Sequence, residues 1–438
     1  MRILLVSWEY PPVVVGGLGR HVHHLATELA TQGHEIVVLT RRPSGTDAVT
    51  HPTTDQVVDG VRVIAVAEDP PEFEFGADMM PWTLAMGHAF IRAGLKILAG
   101  ERNSLSDTTW TPEVVHAHDW LVAHPAITLA EFFDCPLVTT IHATEAGRHS
   151  GWVSGRTNRQ VHSVEWWLAT ESDAIITCSE SMRDEVFRLF GPAAQVADDA
   201  VRAPSSPLAD IQVIHNGIDI TTWPFAPRTP QPGPPELLFA GRLEYEKGVQ
   251  DLLAALPRIR RTHPGTTLTV AGTGTQQEWL VEQARRHRVS KAVQFVGAVG
   301  HDELVGLMHR CSAIVLPSRY EPFGIVALEA AATGAPLVVS TAGGLGEAVT
   351  EPITGLTFAP ADVSGLAAAV RATLADPGAA ADRARRARDR LTADFSWSEV
   401  AERTAGVYLS AKRRVRHPVG RPRIVERPLP ERDPGQLA

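Results

Sequence analysis

Residues 321–329 read Glu321-Pro322-Phe323-Gly324-Ile325-Val326-Ala327-Leu328-Glu329, and an apolar run, Ala313 to Leu316, precedes them. The run has the length and composition of a short buried strand. The chain after Pro322 turns helical, with Val326 and Glu329 one turn apart. Pro322 stands near a helix start, where its missing N–H costs nothing. A strand–loop–helix unit of this kind aims backbone N–H groups and the positive end of a helix at one spot, which suits an anionic or polyhydroxy ligand. Glu321 falls in the loop and Glu329 inside the helix, so the two carboxylates address different parts of one ligand.

The same unit recurs along the chain. Ile3 to Val6 is a buried-type strand, Glu9 to Pro12 breaks it, and Gly16-Gly17-Leu18-Gly19 opens a helix. Leu18, Val22, Leu25 and Leu29 then repeat at helical spacing, Gly33 closes the element, and Ile36 to Leu39 is the next strand. Glycines at this turn let backbone approach a phosphate; an ordinary tight turn is the plain alternative. There is no full G-x-G-x-x-G, and Arg41-Arg42 stand where a dinucleotide fold places an acid. Further strands are predicted at 61–66, 114–116, 137–141, 174–179 and 211–214, with an Ala/Pro/Asp-rich surface insertion at 191–210. A Pro-rich linker at 227–235 separates these from a second series: 237–240, 267–271, 293–296, 313–316 and 338–340. The class is α/β, two Rossmann-like domains facing a central cleft, spanning 1–218 and 219–395. A helix over 396–411 comes next, and then a basic, Pro-rich tail over 412–438.

With 438 residues, two domains are expected. The net charge of −9 supplies no basic field for nucleic acid. Cys135, Cys178 and Cys311 show no metal or disulfide spacing, as in a cytoplasmic protein. No apolar run approaches the ~18 residues of a transmembrane span. The tail is read as solvated, with weak contact to an anionic membrane surface as the alternative.

Four groups of residues carry chemistry. His116-Ala117-His118-Asp119-Trp120 ends a strand and starts a helix; the H-x-H pair suggests a metal only if a third ligand exists, and none is evident nearby, so no metal site is assigned. His142 stands at the carboxyl end of a buried strand, where open α/β sheets bind ligands. Arg242 and Lys247 flank a loop-to-helix transition after strand 237–240, placed to converge on one diphosphate. Gly343-Gly344 turns the chain after strand 338–340.

Together these motifs resemble the retaining nucleotide-sugar glycosyltransferases of the two-Rossmann-domain (GT-B) type. The match covers roughly residues 1–410. Glu321 and Glu329 in their Pro-Phe-Gly context resemble the family's paired carboxylates. The strings VSWEYPP, GGLGRH and VHAHDW look closest to actinobacterial glycogen-synthase-like α-1,4-glucosyltransferases of glucan or methylglucose polysaccharide synthesis. The resemblance implies that Gly16 and Gly17 cover the donor phosphates and that His142 steadies the sugar. It implies that Arg242 and Lys247 stabilise the departing diphosphate and that Phe323, Gly324, Gly343 and Gly344 border its cradle. Glu321 would hold sugar hydroxyls and Glu329 the ribose. Asp119 and Trp120 would shape the acceptor cleft, the tryptophan as a stacking surface. Val14 departs from the lysine that bacterial starch and glycogen synthases usually carry two positions before the glycine pair.

The expected activity is transfer of glucose from ADP- or UDP-glucose to the non-reducing end of an α-1,4-glucan, with no bound cofactor and no metal required. Transfer of mannose or glucose to a lipid-linked or small phosphorylated sugar is the rival acceptor reading. A sugar-nucleotide epimerase and a non-catalytic glucan-binding protein are the alternatives from other classes.

Overall fold

The computed structural model describes residues 1–14, 16–43, 51–67, 72–99, 110–149, 151, 153–191, 208, 210–227 and 233–416. Most of the insertion expected at 191–210, much of the linker at 227–235 and the tail beyond 416 lie outside these residues.

The first half runs β1 (Arg2–Val6), α1 (Gly17–Thr31), β2 (Glu35–Arg41), β3 (Thr54–Val58), β4 (Val61–Val66), α2 (Met79–Gly94), β5 (Val114–His118), α3 (Ala123–Phe133), β6 (Leu137–Ile141), α4 (Glu145–Arg148), α5 (Arg156–Glu171), β7 (Ala174–Thr177), α6 (Glu180–Phe190) and β8 (Gln212–Val213). Among the described residues these strands form one sheet in the order β3-β4-β2-β1-β5-β6-β7-β8. Every pairing is parallel except β3 with β4. That antiparallel edge strand is absent from the sequence reading. Its signal is the Asp59-Gly60 turn, both residues at positive φ, of the kind that closes a two-residue hairpin.

The second half runs β9 (Glu236–Ala240), α7 (Val249–Thr262), β10 (Thr267–Ala271), α8 (Gln277–Arg286), β11 (Val293–Gly297), α9 (His301–Arg310), β12 (Ala313–Leu316), α10 (Ile325–Thr333), β13 (Leu337–Ser340), α11 (Gly344–Ala348), β14 (Leu356–Phe358), α12 (Val363–Ala375), α13 (Pro377–Asp394) and α14 (Trp397–Arg416). Its sheet is parallel, in the order β11-β10-β9-β12-β13-β14.

Strands buried on both faces alternate between two cores. In β1, Leu4 and Val6 enter one cluster while Ile3 and Leu5 enter another. In β12, Ala313 and Val315 face one layer and Ile314 and Leu316 the other. That last layer also takes in Met182, Val186 and Phe190 from α6, so the two halves share a hydrophobic seam. Apolar area removed from water at ~25 cal/mol per Å² makes such a seam the main adhesive between them.

The chain crosses back at Phe395, whose carbonyl accepts the Ile218 N–H at 2.9 Å. Helix α14 then packs on α1 and beneath β5 and β6, with Val400, Ala401, Val407 and Tyr408 in the core. Glycine is required at 217 because an added methyl would fall 2.6 Å from the Trp397 ring. The helix extends to Arg416, beyond the point at 412 where the tail is expected to begin. Lys412 bonds Glu113 and Arg414 bonds Asp210, and both cations are thereby tied to the first half. Among the described residues, no helix is long and apolar enough to cross a membrane.

Tyr408 is fully buried and its hydroxyl lies 2.7 Å from His116 Nδ1. Tyr408→Phe keeps the packing and orphans that nitrogen, an expected loss of about 1–3 kcal/mol read as a lower melting temperature.

Candidate functional site

The sequence folds so that the loops leaving the carboxyl ends of the central strands meet between the two sheets. From the first half come the turn after β1, the Asp119 turn after β5 and His142 after β6. From the second come the loops after β9, β12 and β13.

Glu321 is the junction of the second set. Its Oε2 accepts from Lys247 Nζ at 2.8 Å and from Ser318 Oγ at 3.1 Å. Its carbonyl accepts the Gly344 N–H at 3.0 Å. Gly343 sits at φ +51 with its Cα against the Glu321 carbonyl, and Gly344 lies against the Phe323 backbone, so neither position has room for a side chain. Gly324, at φ +94, caps α10, where a methyl would fall 2.5 Å from Leu345. The Phe323 ring packs in the core and stacks on His215 at 5.7 Å, leaving its backbone as the part that faces the loop.

The facing loops touch this one directly. Ser179 Oγ donates to the Pro322 carbonyl at 2.7 Å, and Glu347 accepts the Glu180 and Ser181 N–H groups at 2.9 Å each. A methyl at Gly17 would lie 2.9 Å from Ile325, which places the glycine turn against the start of α10. The Gly16 N–H is held by Glu9 Oε2 at 3.0 Å. The positive ends of α1 and α10 thus meet near Lys247, an anion-attracting locus.

Asp119 does not cap a helix with its side chain. It is buried at φ +63 and accepts the His142 N–H at 2.7 Å, fixing the backbone at the end of β6. Burial lifts its carboxyl to about 6, against the pull of Arg148 and of the His142 and Ala143 amides. His142 Nε2 lies 3.1 Å from His118 Nδ1. Burial lowers the His142 imidazole to about 4, so at neutral pH it offers hydrogen bonds rather than charge.

The structure corrects the stacking role expected of Trp120 and shows the contacts that the other residues make. Trp120 is only 6% exposed and packs in the core with Leu121 and Val122, so its ring is a packing element and offers no stacking face. Glu329 pairs with Arg20 of α1 at 2.7 Å. Burial raises its pKa despite that cation. Arg242 and Lys247 leave the same loop but differ: Lys247 is held on Glu321, while Arg242 is mostly exposed and 3.5 Å from Glu246. The H-x-H pair splits as well. His116 bonds Tyr408 and Thr140, and His118 meets His142. Sequence reasoning misses Arg20, although it stands just after the glycine turn, on the first turn of α1.

Behind this site Glu165 of α5 accepts the Glu145 N–H at 2.8 Å, and burial raises its pKa from 4.5 to about 8. A carboxyl whose folded pKa is raised stabilises fully below its unfolded pKa and loses that stability as pH rises through the folded one. Between pH 4.5 and 8, thermal or denaturant unfolding should show the native protein losing about 1.4 kcal/mol per pH unit relative to Glu165→Gln.

The chain matches the starch synthase catalytic domain over residues 2–196 and the glycosyl transferases group 1 family over 223–390. It is 65% identical to a glycogen synthase of Mycobacterium tuberculosis over 432 residues, 99% of this chain and 100% of the relative. It is 28% identical to an alpha-maltose-1-phosphate synthase of Mycolicibacterium smegmatis, over 93% of this chain and 99% of that one. Among solved structures, a sucrose-phosphate synthase from Thermosynechococcus elongatus superposes with a TM-score of 0.73 at 24% identity, covering 93% of this chain and 98% of that one. The catalytic domain of starch synthase IV from Arabidopsis thaliana gives 0.71 at 18%, covering 94% and 99%. Two α/β sheets, parallel but for one edge strand, with their loops interlocked around Glu321, and identity running end to end, make this chain a GT-B glycosyltransferase of the glycogen synthase family.

Proposed function

We propose that the protein transfers glucose from a nucleoside-diphosphate glucose to the non-reducing end of an α-1,4-glucan, with retention at the anomeric carbon. The observation that carries this reading is the 65% identity with a glycogen synthase across both sides of the cleft. In this reading residues 1–218 hold the acceptor, residues 219–395 hold the donor, and the helix from 396 clasps the first half. The work is cytoplasmic, and both walls of the cleft come from one chain.

The chemistry arises from the loops. The donor diphosphate displaces Glu321 from Lys247, and Arg242, exposed at the rim, closes on the same phosphates. Their charge stabilises the leaving group as the bond from the anomeric carbon to the β-phosphate oxygen breaks. The acceptor 4-hydroxyl attacks on the leaving-group face, and the departing phosphate takes its proton. Glu321, released, accepts from sugar hydroxyls. The neutral His142 hydrogen-bonds another and its carbonyl faces the positive charge developing on the sugar. Gly16, Gly17, Phe323, Gly324, Gly343 and Gly344 offer backbone to the donor, Glu329 serves the ribose once Arg20 yields, and Asp119 steadies the acceptor side. Two cations on the diphosphate do the work of a metal, so none is required.

A second reading, transfer to a small phosphorylated sugar, is favoured by the relationship to alpha-maltose-1-phosphate synthase. Release of nucleoside diphosphate from ADP- and UDP-glucose separates the two. It should depend on added α-1,4-glucan and lengthen it by one glucose. Release that needs glucose 1-phosphate instead would overturn the glucan assignment. Lys247→Ala should lower kcat roughly a hundredfold or more, the loss typical of removing one preorganised transition-state donor. Arg242→Ala should do the same with little change in melting temperature, because its side chain is mostly exposed.

A further inference from the structure

His21 of α1, His118 at the end of β5 and His142 beyond β6 converge from three separate elements. The His21 ring centroid lies 4.7 Å from that of His142 and 5.6 Å from that of His118, and the last two are 5.4 Å apart. One ring nitrogen from each falls within 4.8 Å of the others, and the His118–His142 pair has already closed to 3.1 Å. His21 and His118 are buried; His142 is the partly exposed member and marks the open side.

The ring nitrogen of His118 that faces His142 is Nδ1, and the Asn216 side chain hydrogen-bonds His21. His116 is committed to Tyr408 and Thr140, and the Trp397 ring packs on His21 at 5.4 Å. Burial and mutual repulsion hold His21 and His118 well below the usual histidine range, so their lone pairs are available at neutral pH.

We propose that His21, His118 and His142 form a binding site for one divalent transition-metal ion of the Zn2+ type, and that filling it stops turnover. Three imidazoles with no carboxylate among them select Zn2+, Co2+ or Cu2+ over Mg2+ or Ca2+. Tetrahedral bonds of about 2.0–2.1 Å need ligand nitrogens about 3.4 Å apart. One pair is there, and ring rotation of His21 and a small shift of α1 bring in the third. The proton now shared between His118 and His142 moves to the outer nitrogen of whichever ring donates it. A water from the cleft takes the fourth position. Inhibition rests on the proposed role of His142, whose imidazole the metal withdraws from the sugar; binding does not rest on it.

Co2+ titrated into the chelator-stripped full chain tests this. One saturable equivalent is expected, with the visible d–d bands of a tetrahedral ion, hyperfine-shifted signals from three histidines, and displacement by Zn2+. His21→Asn and His118→Asn, each checked for folding by circular dichroism, should lose the saturable signal. His88→Asn, an exposed control, should keep it. Absence of a saturable signal in the native protein, fewer than three histidines shifted, or binding kept in folded His21→Asn would overturn the site. Zn2+ should abolish glucosyl transfer reversibly by chelation, and should leave His21→Asn near its own metal-free rate. Saturable three-histidine binding with unchanged turnover would instead overturn the role given to His142 and leave the site standing.

Discussion

The cleft depends on the burial of one short turn, Glu321 to Gly324, between two domains. Its Pro322 carbonyl is taken by Ser179 of the first half, and its Glu321 carbonyl by Gly344 of the second. Both acceptors would be costly if left unpaired away from water, so the turn ties two polar groups to opposite sides of the cleft. The glycines at 343 and 344 are a consequence, since the adjacent backbone occupies the space a side chain would need. The direction of α10, the placement of Lys247 and the seam with α6 are set by the same contact.

The opposite wall is held by a different device. Helix α14 starts in the second half and ends against the first, where Tyr408 holds His116 and Trp397 lies on His21 and His24. His116 and His118 occupy the same face of β5, as residues two apart on a strand must, and that face is covered by α1 and α14. A stack of neutral imidazoles therefore lies behind His142. It is packed against Tyr408 and Trp397, which makes the return of the C-terminal helix a condition for the shape of the site as well as for the stability of the fold.

The strands are legible in the sequence because parallel strands buried on both faces read as unbroken apolar runs, as Ile3–Val6, Leu137–Ile141 and Ala313–Leu316 do. The turns after them are legible for the same reason, and so Gly16, His142, Lys247 and Glu321 are placed by local pattern. The edge strand Thr54–Val58 escapes because four of its five residues are exposed and it lacks a buried apolar run. Trp120 misleads because a residue beside a cleft motif can still point into the sheet's core, a choice made by the positive φ of Asp119 just before it. The pairs Arg20–Glu329 and His21–His118–His142 join residues far apart in sequence, and no spacing rule encodes them.

Those long-range pairs bear on how the cleft treats a donor. Glu321 and Glu329 each hold a cation from a different part of the fold, Lys247 and Arg20. A nucleoside diphosphate sugar entering under the proposed reaction brings two kinds of group: phosphates that compete for Lys247 and hydroxyls that compete for the carboxylates. The Lys247–Glu321 pair is then exchanged for two charge-assisted hydrogen bonds to ligand, while Arg20, about half exposed, passes to water as the ribose takes Glu329. A free phosphate could take Lys247 but would strand Glu321; a free sugar could satisfy Glu321 but would strand Lys247. Only a molecule carrying both, at the separation of a sugar and its diphosphate, replaces the partners on both sides. Under the proposed reaction the resting Lys247–Glu321 pair therefore acts as a selectivity filter, and its carboxylate contributes to discrimination before it contributes to catalysis.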